Sequence, residues 1–100
     1  MSVLVTLKVN GDTAQFRRFI ASEPDRMSGI ADDARGRGAI HHRFGIGDGF
    51  VLVIDEWKSA EAFQQFFQAN TEIPGMMRDA GAQGEPEITI AEAVETADQF

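Results

Sequence analysis

The sequence predicts an α+β fold in which a four-stranded antiparallel sheet carries helices on one face. Three observations point there. Residues 3 to 9, VLVTLKV, alternate with the period of two that suits a half-buried strand. Phe16, Phe19 and Ile20 recur at i, i+3 and i+4, as do Phe63, Phe66 and Phe67, the spacing of helices that lean on a sheet. Gly47-Asp48-Gly49 separates two strand-like runs and reads as a hairpin turn.

Taken in order, strand one puts Val3, Val5, Leu7 and Val9 on one side and Leu4, Thr6 and Lys8 on the other. Asn10-Gly11 supplies a turn, and Asp12 or Thr13 caps the first helix. Pro24 breaks that helix, with Ser22 as the cap of a second piece whose stripe is Met27, Ile30, Ala31 and Ala34 and whose stop is Gly36 with Gly38. GAIHHRFGI, residues 38 to 46, is strand two. FVLVIDEW, residues 50 to 57, opens with five apolar residues and is therefore a central strand, buried on both faces near the turn.

Ser59 caps the next helix, with Glu61 in its first turn and Ala60, Phe63, Phe66 and Phe67 on the buried stripe. Asn70 to Glu72 and Pro74-Gly75 interrupt it, and MMRDAG adds a short helical turn. EPEITIAEAV, residues 85 to 94, is strand four with Ile88 and Ile90 on its apolar face, and residues 95 to 100 fray. The order is the split βαβ, or ferredoxin-like, arrangement in a single domain spanning 1–100.

A chain of 100 residues buries about two thirds of its unfolded surface, so its core is small. With no Cys, disulfides and thiolate metal sites are excluded, and pairing with a second copy through the open sheet face is the expected source of further stability. A net charge of -7 repels phosphate backbones and anionic headgroups, so neither nucleic acid nor membrane is an expected partner. The start MSVLVTLKVN has no basic n-region ahead of a long apolar core and no run reaches membrane-span length, so a cytoplasmic protein is expected.

Which residues share a face depends on the hairpin, because one residue more or less in the turn inverts the pairing of strands two and three. A three-residue loop with Gly49 in the left-handed position pairs Ile46 with Phe50. It sets Ile40, Phe44, Ile46, Phe50, Leu52 and Ile54 under the helices. The other face then carries His41, Arg43, Val51, Val53, Asp55 and Trp57 with Thr6, Lys8 and Thr89. A two-residue turn would instead send His42 toward Trp57 and bury Arg43 under the helices, where an unpaired guanidinium is costly. The sequence favours the first register.

The junction DEWKSAEAFQQFF, residues 55 to 67, resembles the strand-Trp-Ser-helix junction of the antibiotic biosynthesis monooxygenase-like proteins of the dimeric α/β-barrel superfamily. The likeness is strongest from IHHRFGIGDGFVLVIDEWKSAEAF onward. It implies two ferredoxin-like subunits paired sheet to sheet, and a small molecule held between sheet and helices. Among the activities it implies is oxidation of polycyclic aromatic substrates without metal or flavin, so no cofactor is expected. The haem-degrading branch shares the position of Trp57, but it carries an Asn in strand one and an axial His on the second helical region. Here strand one offers Thr6 and Lys8, and residues 59 to 81 contain no His, so haem degradation is not expected.

Within this frame the expected site is Trp57 against an aromatic substrate, His41 as proton acceptor steadied by Asp55, and Arg43 stabilising the resulting anion. Thr6, Lys8, Val53 and Thr89 line the same wall. The competing reading makes Trp57 a packing plug and the polar residues an ordinary cross-strand cluster in a non-enzymatic, ligand-binding homodimer. His41 and His42, as strand neighbours, point to opposite faces and cannot share one metal. GIGDG lacks the helix and Lys of a phosphate loop, and neither a Ser-His-Asp nor an HExxH motif is present.

Overall fold

A computed structural model describes residues Met1 to Phe100. The elements follow the order β1 (Val3–Asn10), α1 (Thr13–Ser22), α2 (Pro24–Arg37), β2 (Ala39–Ile46), β3 (Phe50–Trp57), α3 (Ala60–Ala69), α4 (Ile73–Asp79) and β4 (Glu87–Glu92). The four strands form one antiparallel sheet ordered β2-β3-β1-β4, with β3 central as expected. Residues beyond Glu92 enter no helix or strand.

Local chemistry sets the helix boundaries. The Asp12 carboxylate accepts the Gln15 backbone N–H at 3.1 Å and the Ser59 hydroxyl accepts that of Ala62 at 3.0 Å, each satisfying an orphan donor of a first turn. Ser22 does not cap α2. Its hydroxyl donates back to the Phe19 carbonyl at 3.4 Å, and Glu23 occupies the cap position ahead of Pro24. The short helical turn expected from MMRDAG starts earlier, at Ile73, because the Asn70 side-chain oxygen accepts both the Glu72 and Ile73 N–H groups, at 2.9 and 3.2 Å. Gly38, at φ 120°, closes α2 in a backbone conformation that L side chains rarely adopt.

The hairpin between β2 and β3 corrects the expected register. Gly47 is not a loop residue: its N–H donates to the Phe50 carbonyl at 2.9 Å, leaving Asp48 and Gly49, the latter at φ 79°, as a two-residue turn. A Cβ on Gly47 would lie 2.1 Å from the Phe50 ring, so glycine is what lets this ring lie across the strand end. Ile46 therefore pairs with Val51, Phe44 with Val53 and His42 with Asp55. A bulge at Ile40 then brings Ala39 opposite Trp57.

On the other flank of β3, Val5 pairs with Asp55 and Leu7 with Val53. The side that carries Val5 and Leu7 thus also carries Val51, Val53, Asp55, Trp57, His42 and Phe44, and the helices cover it. Phe50, Leu52 and Ile54 face outward, not under the helices. The cost that argued against the two-residue turn does not arise, because Arg43 pairs with Ile54 on the uncovered face.

The interior is divided. One buried cluster joins Val5, Leu7 and Trp57 to Ala62, Phe63 and Phe66 of α3 and to Ile73, while a second joins Phe16 and Phe19 of α1 to Val51 and Ala80. Helix α2 has no buried residue and leans over the space between them with Met27, Ile30 and Ala34 half-buried. Two polar ties hold it to the α4 region: Arg26 to Asp79 at 3.0 Å, and the Asn70 amide to Asp33 at 2.8 Å. Arg37, at 2.9 Å, and then Asn70 hold the Asp33 carboxyl below its ordinary value of 3.8, and Arg26 does the same for Asp79.

Phe63→Ala should lose about 3–5 kcal/mol in urea unfolding, since it removes a ring from the filled cluster. The depressed carboxyls of Asp33 and Asp79 contribute stability that is complete above the unfolded value of 3.8 and is lost as pH falls through the folded values. Asp33→Asn and Asp79→Asn should therefore flatten the fall in stability below about pH 3.8, measured by acid titration of the melting midpoint; an unchanged slope contradicts the two ties.

Candidate functional site

The divided interior leaves a cavity of about 570 Å³ between the sheet and the helices, with 21 of its 30 lining residues hydrophobic. Met27, Ile30 and Ala34 of α2 and Met76 and Met77 of α4 form its roof, and Leu7, Val51, Val53 and Phe44 its floor. Methionines adapt readily to ligand shape, so this roof can fit more than one outline.

One hydrogen-bonded chain interrupts the apolar wall. Trp57 is fully buried, with its ring against Phe63 (centroids 5.6 Å apart, edge-on) and Phe66 (5.1 Å). Its indole Nε1 donates to Asp55 Oδ2 at 3.1 Å, and Asp55 Oδ1 lies 2.7 Å from His42 Nδ1. Burial decreases outward along this chain: Asp55 is 8% exposed, whereas the His42 side chain is 39% exposed and packs edge-on against Phe44. A buried carboxylate needs donors on both oxygens, and Trp57 and His42 provide them.

The residues expected to form one wall lie on two. Asp55, Trp57 and Val53 line the cavity. Thr6, Lys8 and Thr89, with Arg43, alternate to the uncovered sheet face, where Lys8 lies over the Phe50 ring at 4.8 Å. His41 pairs with Glu56 on that outer side and borders the cavity only beside the bulge. The sheet therefore separates Arg43 from Asp55, and the histidine that meets Asp55 is His42. The sequence favours His41 here; the short link from Trp57 to the Ser59 cap puts Asp55 and Trp57 on the α3 side, but only the two-residue turn brings His42 rather than His41 opposite Asp55.

No group of three His, Cys, Asp or Glu side chains converges in a metal-holding arrangement. No helix is long and apolar enough to cross a membrane.

Neither a family model nor any curated protein matches the sequence. Solved structures match the fold over nearly the whole chain. The ActVA-Orf6 monooxygenase of Streptomyces coelicolor, solved in complex with nanaomycin D, superposes with a TM-score of 0.70 at 13% identity over 99% of this chain and 93% of that one. SnoaB, a cofactor-independent oxygenase from Streptomyces nogalater, gives 0.62 at 16% identity over 98% and 97%. A dimeric ferredoxin-like protein from an uncultured marine organism gives 0.68 at 11% identity over 99% and 93%.

The chain shares the fold of the antibiotic biosynthesis monooxygenase-like proteins. At these identities the likeness is one of backbone.

With a single tryptophan on the cavity wall, intrinsic fluorescence reports directly on this arrangement. Emission should be blue-shifted and little affected by acrylamide, and a planar aromatic ligand should quench it; emission like that of free indole in the folded protein contradicts the placement of Trp57.

Proposed function

We propose that the chain binds a flat, largely apolar aromatic molecule in this cavity and that His42 removes a proton from it, in the manner of a cofactor-independent oxygenase. The observation that carries the reading is the meeting of a hollow apolar interior with one His–carboxylate pair at its wall. Ionised Asp55 only accepts hydrogen bonds, so neutral His42 donates through Nδ1 and keeps a lone pair on Nε2, the form of a general base. His42 thus takes the role expected of His41, and Asp55 keeps the orienting role.

A phenol or enol deprotonated in apolar surroundings is electron-rich enough to reduce dioxygen itself. In the net reaction an activated CH2 becomes C=O: one oxygen atom enters the product and the other leaves as water with the two hydrogens. The protein's part is to hold the ring, take the proton and limit water. The monooxygenase and cofactor-independent oxygenase among the structural neighbours support this class of chemistry. No role in the cavity is proposed for Arg43, Thr6, Lys8 or Thr89.

The second part of the proposal is a homodimer formed through the outer sheet face. Leu4 and Ile54 there are 47% and 51% exposed, side by side with half-buried Leu52 and Phe50, and the dimeric neighbour has the same fold. Ligand binding without turnover is the alternative.

Oxygen uptake should rise when hydroxylated polycyclic aromatics are added to the protein. His42→Ala should lower turnover by about 10²–10⁴-fold while aromatic binding, followed by Trp57 quenching, changes only a few-fold. Equal turnover in wild type and His42→Ala rejects the base, and retention of ligand with no oxygen uptake across the panel favours the non-enzymatic reading. Native mass spectrometry should show a wild-type dimer that Ile54→Lys converts to monomer; a wild-type monomer removes the sheet-to-sheet pairing.

A further inference from the structure

We infer that Trp57 is a positioning residue: its indole N–H fixes the rotation of the Asp55 side chain and so holds one of its oxygens against His42 Nδ1. The inference rests on the reading of His42 as the base. It assigns the lone tryptophan a task other than stacking on a ligand or plugging the interior.

An indole N–H only donates and an ionised carboxylate only accepts, so the 3.1 Å contact from Nε1 to Oδ2 has one possible direction. Trp57 and Asp55 are two apart on one strand and point to the same face, so the backbone sets their separation. Phe63 and Phe66 hold the indole in place from the α3 side. With Oδ2 tied to this buried ring, Oδ1 is aimed at His42 Nδ1 at 2.7 Å.

The proton of neutral His42 must then sit on Nδ1, whereas a free imidazole places it mostly on Nε2. His42 is 39% exposed and its Nε2 makes no hydrogen bond within the protein. Nothing on that side of the ring competes to set the tautomer. In the wild type the carboxylate therefore sets the tautomer, since either of its oxygens only accepts, and Trp57 sets its rotation; where the two ends of the side chain differ, as in an amide, Trp57 also decides which end meets His42.

Asp55→Asn separates this relay from mere packing, because an amide has one accepting end and one donating end. A carboxamide held by Trp57 turns its oxygen to the indole and its NH2 to His42, which must then accept at Nδ1 and carry its proton on Nε2. In Asp55→Asn/Trp57→Phe the amide is released and can turn its oxygen to His42.

The test is the ¹⁵N shift pair of His42 in the uniformly labelled full chain, at a pH where the imidazole is neutral, with amide correlation spectra confirming that each variant is folded. The expected result is mainly Nδ1–H in wild type, mainly Nε2–H in Asp55→Asn, and a several-fold return toward Nδ1–H in the double variant. The same tautomer in Asp55→Asn and the double variant, or no change on Asp55→Asn, overturns the inference.

Because Trp57→Phe opens space in a filled cluster, the indole N–H resonance gives a second reading that needs no change at Trp57. It should move upfield in Asp55→Leu, which removes the acceptor, and an unmoved resonance overturns the inference. The readouts are independent of turnover. The expected tautomer pattern in a protein that oxidises no aromatic supports the relay and counts against the oxygenase reading, while turnover undiminished in Asp55→Asn with the tautomer inverted rejects His42 as the base and leaves the relay supported.

Discussion

The pairing of β3 between β1 and β2 decides which side chains reach the interior. Two constraints set it. On one flank, Val5 and Leu7 pair with Asp55 and Val53 and carry them to the helix-covered side. On the other, Gly47 closes a two-residue turn because it lacks a Cβ that would collide with the Phe50 ring, and this brings His42 opposite Asp55. A slip of one residue on either flank would break the contact between His42 and Asp55.

The cavity follows from the way the apolar residues are shared out. Phenylalanines of α1 and α3 fill two separate clusters at the ends of the sheet, and the helix that crosses between them, α2, contributes only half-buried Met27, Ile30 and Ala34 to the gap. Polar ties from Asp33 and Arg26 hold this roof where buried rings do not. A small domain thus gives up part of its core for a hollow. The hydrogen-bonded chain on the hollow's inner wall, Trp57 to Asp55 to His42, gives it a polar side.

Much of this was legible in the sequence. Strand alternation, the Phe stripes and the caps at Asp12 and Ser59 reflect local physics, and element order and sheet type follow from them. The prominence of Trp57 and Asp55 was also readable, as both stand at the strand-helix junction. The register was not, because GIGDG admits turns of two or three residues and the choice depends on the packing of the Phe50 ring over Gly47 and on pairing with β1, both contacts distant in sequence or invisible to pattern. Reading the turn as three residues exchanged His42 for His41 and gathered Arg43, Thr6 and Lys8 into a wall that the sheet divides. The cavity itself depends on which apolar residues fail to meet, a three-dimensional outcome that periodicity does not encode.

The proposed binding site lies on the helix side of the sheet, against His42 and Trp57. Intermolecular nuclear Overhauser effects from a bound hydroxylated polycyclic aromatic to the labelled protein test it most directly. Cross-peaks to the His42 ring, Trp57 and the methyls of Met27 and Met77 are the predicted result. Cross-peaks instead to His41, Arg43, Thr6 and Ile54 would place the ligand on the outer sheet face and rule out the helix-side site.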